Sequence, residues 1–283
     1  MTIGRRAPVT VLVGRTREDR RAALASVAAL DAHRRPDFLY LTATRRKADL
    51  VRASFWDQPD KPATFLPSVA PWGRFRDDLI PRWGDGRIPL APVALDQLAG
   101  RLFRELRAQF RVWRGLEDGP TVRRALVELA QGWGMGFAGA DEPAVPDEPY
   151  AFRLPGEPAA TWGPLFAASR PLGEELREDA WRWVRAWRAA LARSDLVTDT
   201  PTALRSVLRA LRSTTSAVSA GLRAWRALIV DDLLWLPPLE LSVLSGFIDA
   251  YRDACPDGAV FLCLEASVGG SEEAARRLLS GTD

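Results

Sequence analysis

Two adjacent carboxylates, Asp231 and Asp232, directly follow an apolar run at residues 227–230. A short uncharged run that ends in acids is typical of a buried strand whose carboxyl end reaches the edge of a sheet. Open α/β sheets bind ligands at that edge, and a carboxylate there holds the Mg²⁺ of a bound nucleoside triphosphate. We therefore interpret Asp231 as a candidate magnesium ligand. The alternative is that both acids cap the next helix and interact with its dipole.

A triphosphate also needs a phosphate-binding loop, which the sequence lacks. Such a loop reads G-x-x-x-x-G-K-[ST] between the first strand and the first helix. The connection here is Gly14-Arg15-Thr16, which has one glycine and no lysine and is too short to wrap three phosphates. Arg15 retains the ability to meet one phosphate at the helix N-terminus. We predict that these three residues and the two acids are a vestigial nucleotide site without a cofactor; binding of Mg-ATP is the alternative.

Hydroxyl groups and cations cluster where the second predicted strand meets its helix. They are Thr42, Thr44, Arg45, Arg46 and Lys47. Hydroxyls, backbone N–H groups and cations in such a turn can together hold a nucleic-acid phosphate. We therefore predict that this turn contacts DNA. A capped, solvated helix start is the alternative explanation for the same residues.

A second cationic surface is predicted on the helix at residues 174–193. Its inner stripe is apolar, and another face carries Arg177, Trp181, Arg185 and Arg188 at steps of four, four and three residues. Arginine and tryptophan on one face suit stacking on bases and pairing with phosphates. The alternative is that the arginine stems pack on an exposed tryptophan and pair with glutamates of the same helix.

The composition restricts the possible classes of protein. The 283 residues are 47% apolar with a net charge of +3, and no window of about 18 uncharged apolar residues predicts a membrane span. Two cysteines and one histidine are too few for a disulfide framework, a metal cluster or a hydrolase triad, and we expect a cytoplasmic location. Of the 39 basic residues only Lys47 and Lys61 are lysines. Arginine's planar fork suits phosphates and base stacking, although a GC-rich genome produces the same bias.

The order of predicted elements indicates an α/β sheet split by a helical insertion. Strands are predicted at residues 10–13, 38–41, 63–69, 228–230 and 260–264. Helices are predicted at residues 17–30, 45–56, 72–80, 94–113, 121–132, 174–193, 201–211 and 237–254, with a proline-rich connector at 136–173. Strands that alternate with helices form parallel sheets, and we expect the opening strand and the strand before Asp231 to be neighbours. The sheet would comprise residues 1–93 and 222–283, and the mainly helical insertion residues 94–221.

Taken in order, these motifs resemble the N-terminal half of a superfamily 1 helicase. Residues 42–48, Thr-Ala-Thr-Arg-Arg-Lys-Ala, are similar to motif Ia, which contacts single-stranded DNA in that family, and residues 228–232 are similar to motif II. The closer likeness is to the B subunit of the AddAB-type helicase–nuclease. In that subunit a strand ending in Asp precedes an aromatic turn and a Pro-Leu-rich helix start, as in residues 230–241 here. Residues 69–75 also look like that family's third strand, which leads to its helical 1B insertion.

The resemblance implies a RecA-like 1A domain interrupted by a 1B domain, and a role in processing broken DNA ends for recombinational repair. B subunits of that family can carry degenerate helicase motifs, which the missing phosphate loop fits. We therefore expect no catalytic residue, and binding of single-stranded or end DNA and of a helicase–nuclease partner subunit. The family's second RecA-like domain and nuclease domain have no counterpart in these 283 residues, so we expect part of a longer protein or a reduced relative. The alternatives are a weak ATPase with an unusual phosphate site and a scaffold that contacts only protein.

Overall fold

The structure is a computed structural model that describes residues 6–14, 38–56, 68–152, 170–213, 215–233 and 236–265. Its strands are β1 Val9–Gly14, β2 Phe38–Thr42, β3 Ser68–Pro71, β4 Ile88–Pro89, β5 Val197–Thr198, β6 Ala227–Asp231 and β7 Ala259–Glu265. Its helices are α1 Arg45–Trp56, α2 Trp72–Trp83, α3 Pro92–Leu106, α4 Pro120–Met135, α5 Arg170–Leu191, α6 Thr200–Ser213, α7 Ser216–Leu222 and α8 Pro238–Ala254. The predicted helix at residues 17–30 and most of the predicted strand at 63–69 lie outside the described residues.

The chain forms two compact units. Unit 1 comprises Met1–Trp83, Val207–Leu236 and Leu241–Asp283, and unit 2 comprises Gly84–Ser206 and Pro237–Glu240. The first boundary between unit 1 and unit 2 coincides with the end of α2, whereas the sequence analysis predicted this boundary after residue 93. The chain returns to unit 1 within α6, whereas the sequence placed that return at residue 222.

Five strands of unit 1 form one parallel sheet in the order β1-β7-β6-β2-β3. β2 and β6 are buried at every residue. Continuous apolar runs of this kind are typical of parallel strands that are covered on both faces. The predicted α/β class with a parallel sheet is therefore confirmed, and the more specific RecA-like fold stays a prediction.

The expectation that β1 and β6 are neighbours is wrong, because β7 lies between them. Residues 260–264 of β7 are all buried and therefore require a place inside the sheet. On β1, by contrast, Val11 and Val13 are 38% and 54% exposed, as suits a strand at the edge. The carboxyl ends of β1 and β6 are thus two strand spacings apart, roughly 10 Å, on the same edge of one sheet.

Aromatic side chains join α2 to α8 within unit 1. Phe75 lies edge-on to Phe247 with ring centroids 5.2 Å apart, and the ring of Trp83 lies 6.1 Å from that of Phe247. Trp83 also packs against Gly221 of α7, where an added Cβ would lie 3.1 Å from the indole ring. These contacts explain why α2 continues through Pro81 to Trp83, beyond its predicted end at residue 80.

Unit 2 is mainly helical, and its core lies between α3, α4 and α5. The buried side chains of this core are Leu95, Ala99, Leu102, Phe103, Phe110, Leu126, Ala130, Trp133, Phe152, Ala180, Trp183, Val184, Trp187 and Leu191. They include the predicted inner stripe of α5 except Leu176, which is half-buried. α5 itself begins at Arg170, inside the predicted connector. The parallel pair of β4 with β5 escaped prediction because each strand has only two residues.

α3 ends at Leu106, earlier than the predicted end at residue 113. Phe110 is extended, with φ −74° and ψ 144°, and its ring stacks on Phe103 with centroids 5.8 Å apart. The carboxylate of Asp179 on α5 accepts the three backbone N–H groups that follow Phe110. A tertiary contact therefore stabilises the turn after α3, and the periodicity of the helix itself cannot reveal such a contact.

Two other helix ends in unit 2 differ from the prediction. α4 runs through Gly134 to Met135, beyond its predicted end at residue 132. Gly134 is needed for packing, because a Cβ there would lie 2.8 Å from the Cβ of Pro201. α6 begins at Thr200, one residue before its predicted start, and is capped by Asp199, whose Oδ1 accepts the N–H of Thr202 at 3.1 Å.

Candidate nucleic-acid interface

β2 and β6 place predicted site residues side by side at the carboxyl edge of the sheet in unit 1. The strands pair in parallel, with Thr42 opposite Asp231. Both residues are buried, at 0% and 4% exposure. The Thr42 hydroxyl donates to the carbonyl oxygen of Thr44 at 3.0 Å. Thr42 therefore shapes the turn after β2, and its hydroxyl does not face solvent.

The two acids form an ion cluster with Lys47. The hydroxyl of Thr44 caps α1 by accepting the N–H of Lys47 at 3.2 Å. The Lys47 Nζ lies 3.2 Å from Asp231 Oδ1 and 3.5 Å from Asp232 Oδ2. The hydroxyl of Tyr40 donates to the other oxygen of Asp231, Oδ2, at 2.9 Å. Lys47 is a predicted DNA contact, but its side chain is only 17% exposed and its ammonium is engaged by both acids.

Asp232 has the only positive φ among the described non-glycine residues, at 61°. Aspartate tolerates this left-handed conformation better than most residues do. The N–H of Asp232 donates to the carbonyl of Cys263 at 3.0 Å, next to the last paired residue of β6. Consecutive residues of a strand point to opposite faces of the sheet. Because the left-handed turn ends that alternation, the carboxylates of Asp231 and Asp232 both reach the ammonium of Lys47.

The turn between β2 and α1 presents two exposed arginines. Arg45 and Arg46 occupy the first turn of α1, which contains no acidic residue. Within the described part of the chain, neither guanidinium group has a hydrogen bond or an ion pair. The N-terminus of a helix adds backbone N–H groups and a partial positive charge that favour anions. The turn therefore combines two available cations with an anion-attracting helix end.

The predicted face of α5 is used largely for packing inside unit 2. Trp181 Nε1 donates to a backbone carbonyl at 2.7 Å, and the guanidinium of Arg185 lies 5.2 Å from the centroid of the Trp181 ring. Arg188 donates to the Thr202 hydroxyl at 2.9 Å and also pairs with a glutamate. Arg185 is exposed and Arg177 is partly exposed, so these two remain accessible to a ligand.

The predicted vestigial nucleotide site falls only partly within the described residues. Gly14 ends β1 in register with Glu265 of β7, and Arg15 and Thr16 lie outside the described residues. Across the described ranges, no group of three or more His, Cys, Asp or Glu side chains is arranged to hold a metal ion. The acid that the sequence assigns to magnesium, Asp231, is instead paired with a lysine ammonium.

No protein-family model matches the sequence, and no curated protein matches it significantly. None of the helices in the described ranges is long and apolar enough to cross a membrane.

Proposed function

We propose that this chain is a non-catalytic, helicase-like DNA-repair domain whose unit 1 binds single-stranded or end DNA at the turn between β2 and α1. One observation carries the proposal. Arg45 and Arg46 are exposed at the N-terminus of a helix that has no acidic residue in its first turn. The turn follows the carboxyl end of a parallel strand, which is where open α/β sheets bind ligands.

The two arginines are unfavourable for α1 in isolation. A cation near a helix N-terminus meets the positive end of the helix dipole, and the interaction costs about 0.3–1 kcal/mol at an exposed position. A bound phosphate makes the position of the two arginines favourable, because it accepts charge-assisted hydrogen bonds from guanidinium groups and backbone N–H groups. Successive phosphates of a nucleic-acid strand supply an anion for each arginine. The arrangement therefore favours a phosphate polymer over solvent.

The ion cluster supports a non-catalytic role. Asp231, the candidate magnesium ligand, is already paired with Lys47 and hydrogen-bonded by Tyr40. The connection that begins at Gly14 also lacks the second glycine and the lysine of a phosphate-binding loop. Nucleotide hydrolysis would need both a free metal ligand and that loop.

The resemblance to AddAB-type B subunits extends the proposal beyond DNA binding. It suggests broken DNA ends as the site of action and a helicase–nuclease subunit as the partner. In that setting Arg177 and Arg185 of α5 are the residues of unit 2 that we propose as additional DNA contacts. Their exposure, and the use of Trp181 and Arg188 in packing, distinguish them from the rest of the predicted face.

Binding of single-stranded DNA is expected to weaken steeply with salt, because phosphate contacts release counterions. The double variant R45A/R46A should bind roughly tenfold more weakly at about 0.1 M salt. It should also reduce the slope of log K against log salt by about 1.4, the value for two single-strand phosphate contacts. Fluorescence anisotropy with a labelled oligonucleotide over a salt series measures both quantities.

The matched control for this experiment is R101A/R124A. Both of its arginines are exposed on helices of unit 2, and the double variant removes the same net charge. We expect it to keep the wild-type slope. Equal weakening by the two double variants would assign the effect to net charge alone, and a wild-type chain that binds no DNA at low salt would exclude the proposal.

The competing candidate function is a weak ATPase that uses Asp231. Because Lys47 holds that carboxylate, we expect no saturable binding of Mg-ATP up to about 1 mM, the upper end of ordinary KM values. The D231A variant should behave in the same way as the wild type. Calorimetric titration decides between the candidates, since saturable wild-type binding that D231A abolishes would favour the ATPase.

A further inference from the structure

We propose that Lys47 is a tethered substitute for a divalent cation, and that its ammonium fills a two-carboxylate site which accepts Mg²⁺ or Mn²⁺ when the lysine side chain is removed. The proposal concerns the ion cluster of Lys47, Asp231 and Asp232. It does not depend on whether the neighbouring turn binds DNA. It predicts that the natural chain does not bind the divalent cation and that a single substitution of Lys47 makes this binding possible.

The buried carboxylate of Asp231 requires a cation. Its side chain is 6% exposed, and the Tyr40 hydroxyl hydrogen-bonds only one of its oxygens, Oδ2. Oδ1 is buried and accepts no hydrogen bond, so its compensation is the Lys47 ammonium at 3.2 Å. An ionised carboxylate buried without a partner is strongly unfavourable. The cluster is therefore arranged around a positive charge at this point.

Asp232 makes the site suitable for a doubly charged ion. Its Oδ2 lies 3.5 Å from the same ammonium, so two carboxylates share one positive charge. The Asp232 side chain is 27% exposed, which leaves one side of the cluster open to water. Mg²⁺ is commonly bound by one or two carboxylates together with several waters. Two acids with solvent access meet that requirement.

The lysine can be removed without disturbing the scaffold of the site. Asp231 lies on β6, within the sheet, and the backbone of Asp232 is fixed by its bond to the Cys263 carbonyl. Lys47 reaches the acids from α1, where alanine is an excellent helix former. Truncation of the side chain therefore leaves the two carboxylates in place and vacates the space of the ammonium.

The test compares Lys47 variants with the wild type, after treatment with a chelator, in thermal unfolding and in titrations with Mn²⁺. We expect K47A to melt at a lower temperature than the wild type without metal. Mn²⁺ at ten times its Kd should then raise the Tm of K47A by about 3 °C. The wild type and K47R, which keeps a cation at the site, should show no such rise and no saturable Mn²⁺ binding.

Further variants keep the test decisive if K47A folds poorly. K47M preserves the length and apolar stem of the lysine and should also gain Mn²⁺ binding, whereas K47A/D231N and K47M/D231N should lose it. The proposal is overturned if the wild type binds Mn²⁺ as tightly as the Lys47 variants, or if neither K47A nor K47M binds it. DNA binding does not enter these readouts, so a failure here is distinguishable from a failure of the proposed function.

Discussion

Replacing Arg205 with alanine is expected to lower the free energy of unfolding of unit 2 by about 3 kcal/mol. The side chain is fully buried in the described structure. Its guanidinium donates to the carbonyl oxygens of Gly134 and Asp141 at 2.8 Å each, and to that of Phe137 at 3.0 Å. Alanine removes these donors and leaves a cavity. A buried carbonyl without a donor costs about 1–3 kcal/mol.

Thermal and urea unfolding of R205A measure this effect, and a fall in Tm on the order of 6–12 °C corresponds to the expected loss. R124A is the control, because Arg124 is exposed on α4 and its replacement should change the stability by about 0.5 kcal/mol or less. R205K keeps the charge without the planar fork and should fall between them. An R205A protein that unfolds like R124A would contradict the assigned role of the guanidinium.

The importance of Arg205 is invisible in the sequence, where it is one basic residue among 39. Its bonds connect α6 to the C-terminal end of α4 and the chain that follows, and only the tertiary structure brings these segments together. Where local residues alone define an element, the sequence was sufficient. The predicted range of α1, residues 45–56, matches the structure because Thr44 caps the helix and Ala48 and Val51 supply its buried face.

In the candidate site, too, local sequence patterns identify the residues but not the tertiary contacts between them. The acids at the end of β6 and the hydroxyl–cation turn at the end of β2 are both recognisable from sequence patterns. Their meeting depends on the pairing of β2 with β6, which no local pattern specifies. Tyr40 lies two residues before Thr42, on the same face of β2, yet only that pairing brings its hydroxyl to Asp231.

The pairing of β2 with β6 also changes the interpretation of Lys47, which the sequence analysis predicted as a DNA contact. In the sequence it is the third cation of a turn that suits phosphate. In the structure its ammonium reaches the two acids at the end of β6, 3.2 Å from Asp231 Oδ1 and 3.5 Å from Asp232 Oδ2. The neighbouring Arg45 and Arg46 stay exposed. Spacing along one helix therefore identified the cations but did not distinguish those that neutralise a buried carboxylate from those that are available to a ligand.

Asp179 connects the turn after α3 to α5 in unit 2. The carboxylate is fully buried and accepts the backbone N–H groups of Arg111 and Val112 at 2.8 Å and of Trp113 at 2.9 Å. Three donors that converge on one carboxylate resemble a helix cap supplied from another helix. This arrangement satisfies the N–H groups at the start of the short 3₁₀ turn Trp113–Gly115.

Asp179→Ala is therefore expected to lower the stability of this turn by about 3 kcal/mol, because three N–H groups lose their acceptor at once. Hydrogen exchange of the three amides should accelerate roughly 100-fold as local opening becomes easier. D179N keeps one acceptor oxygen and should give a smaller acceleration, whereas E174A, at an exposed position of α5, should give none. Unchanged exchange at these amides in D179A would show that the turn is held by the packing of Phe110 rather than by the carboxylate.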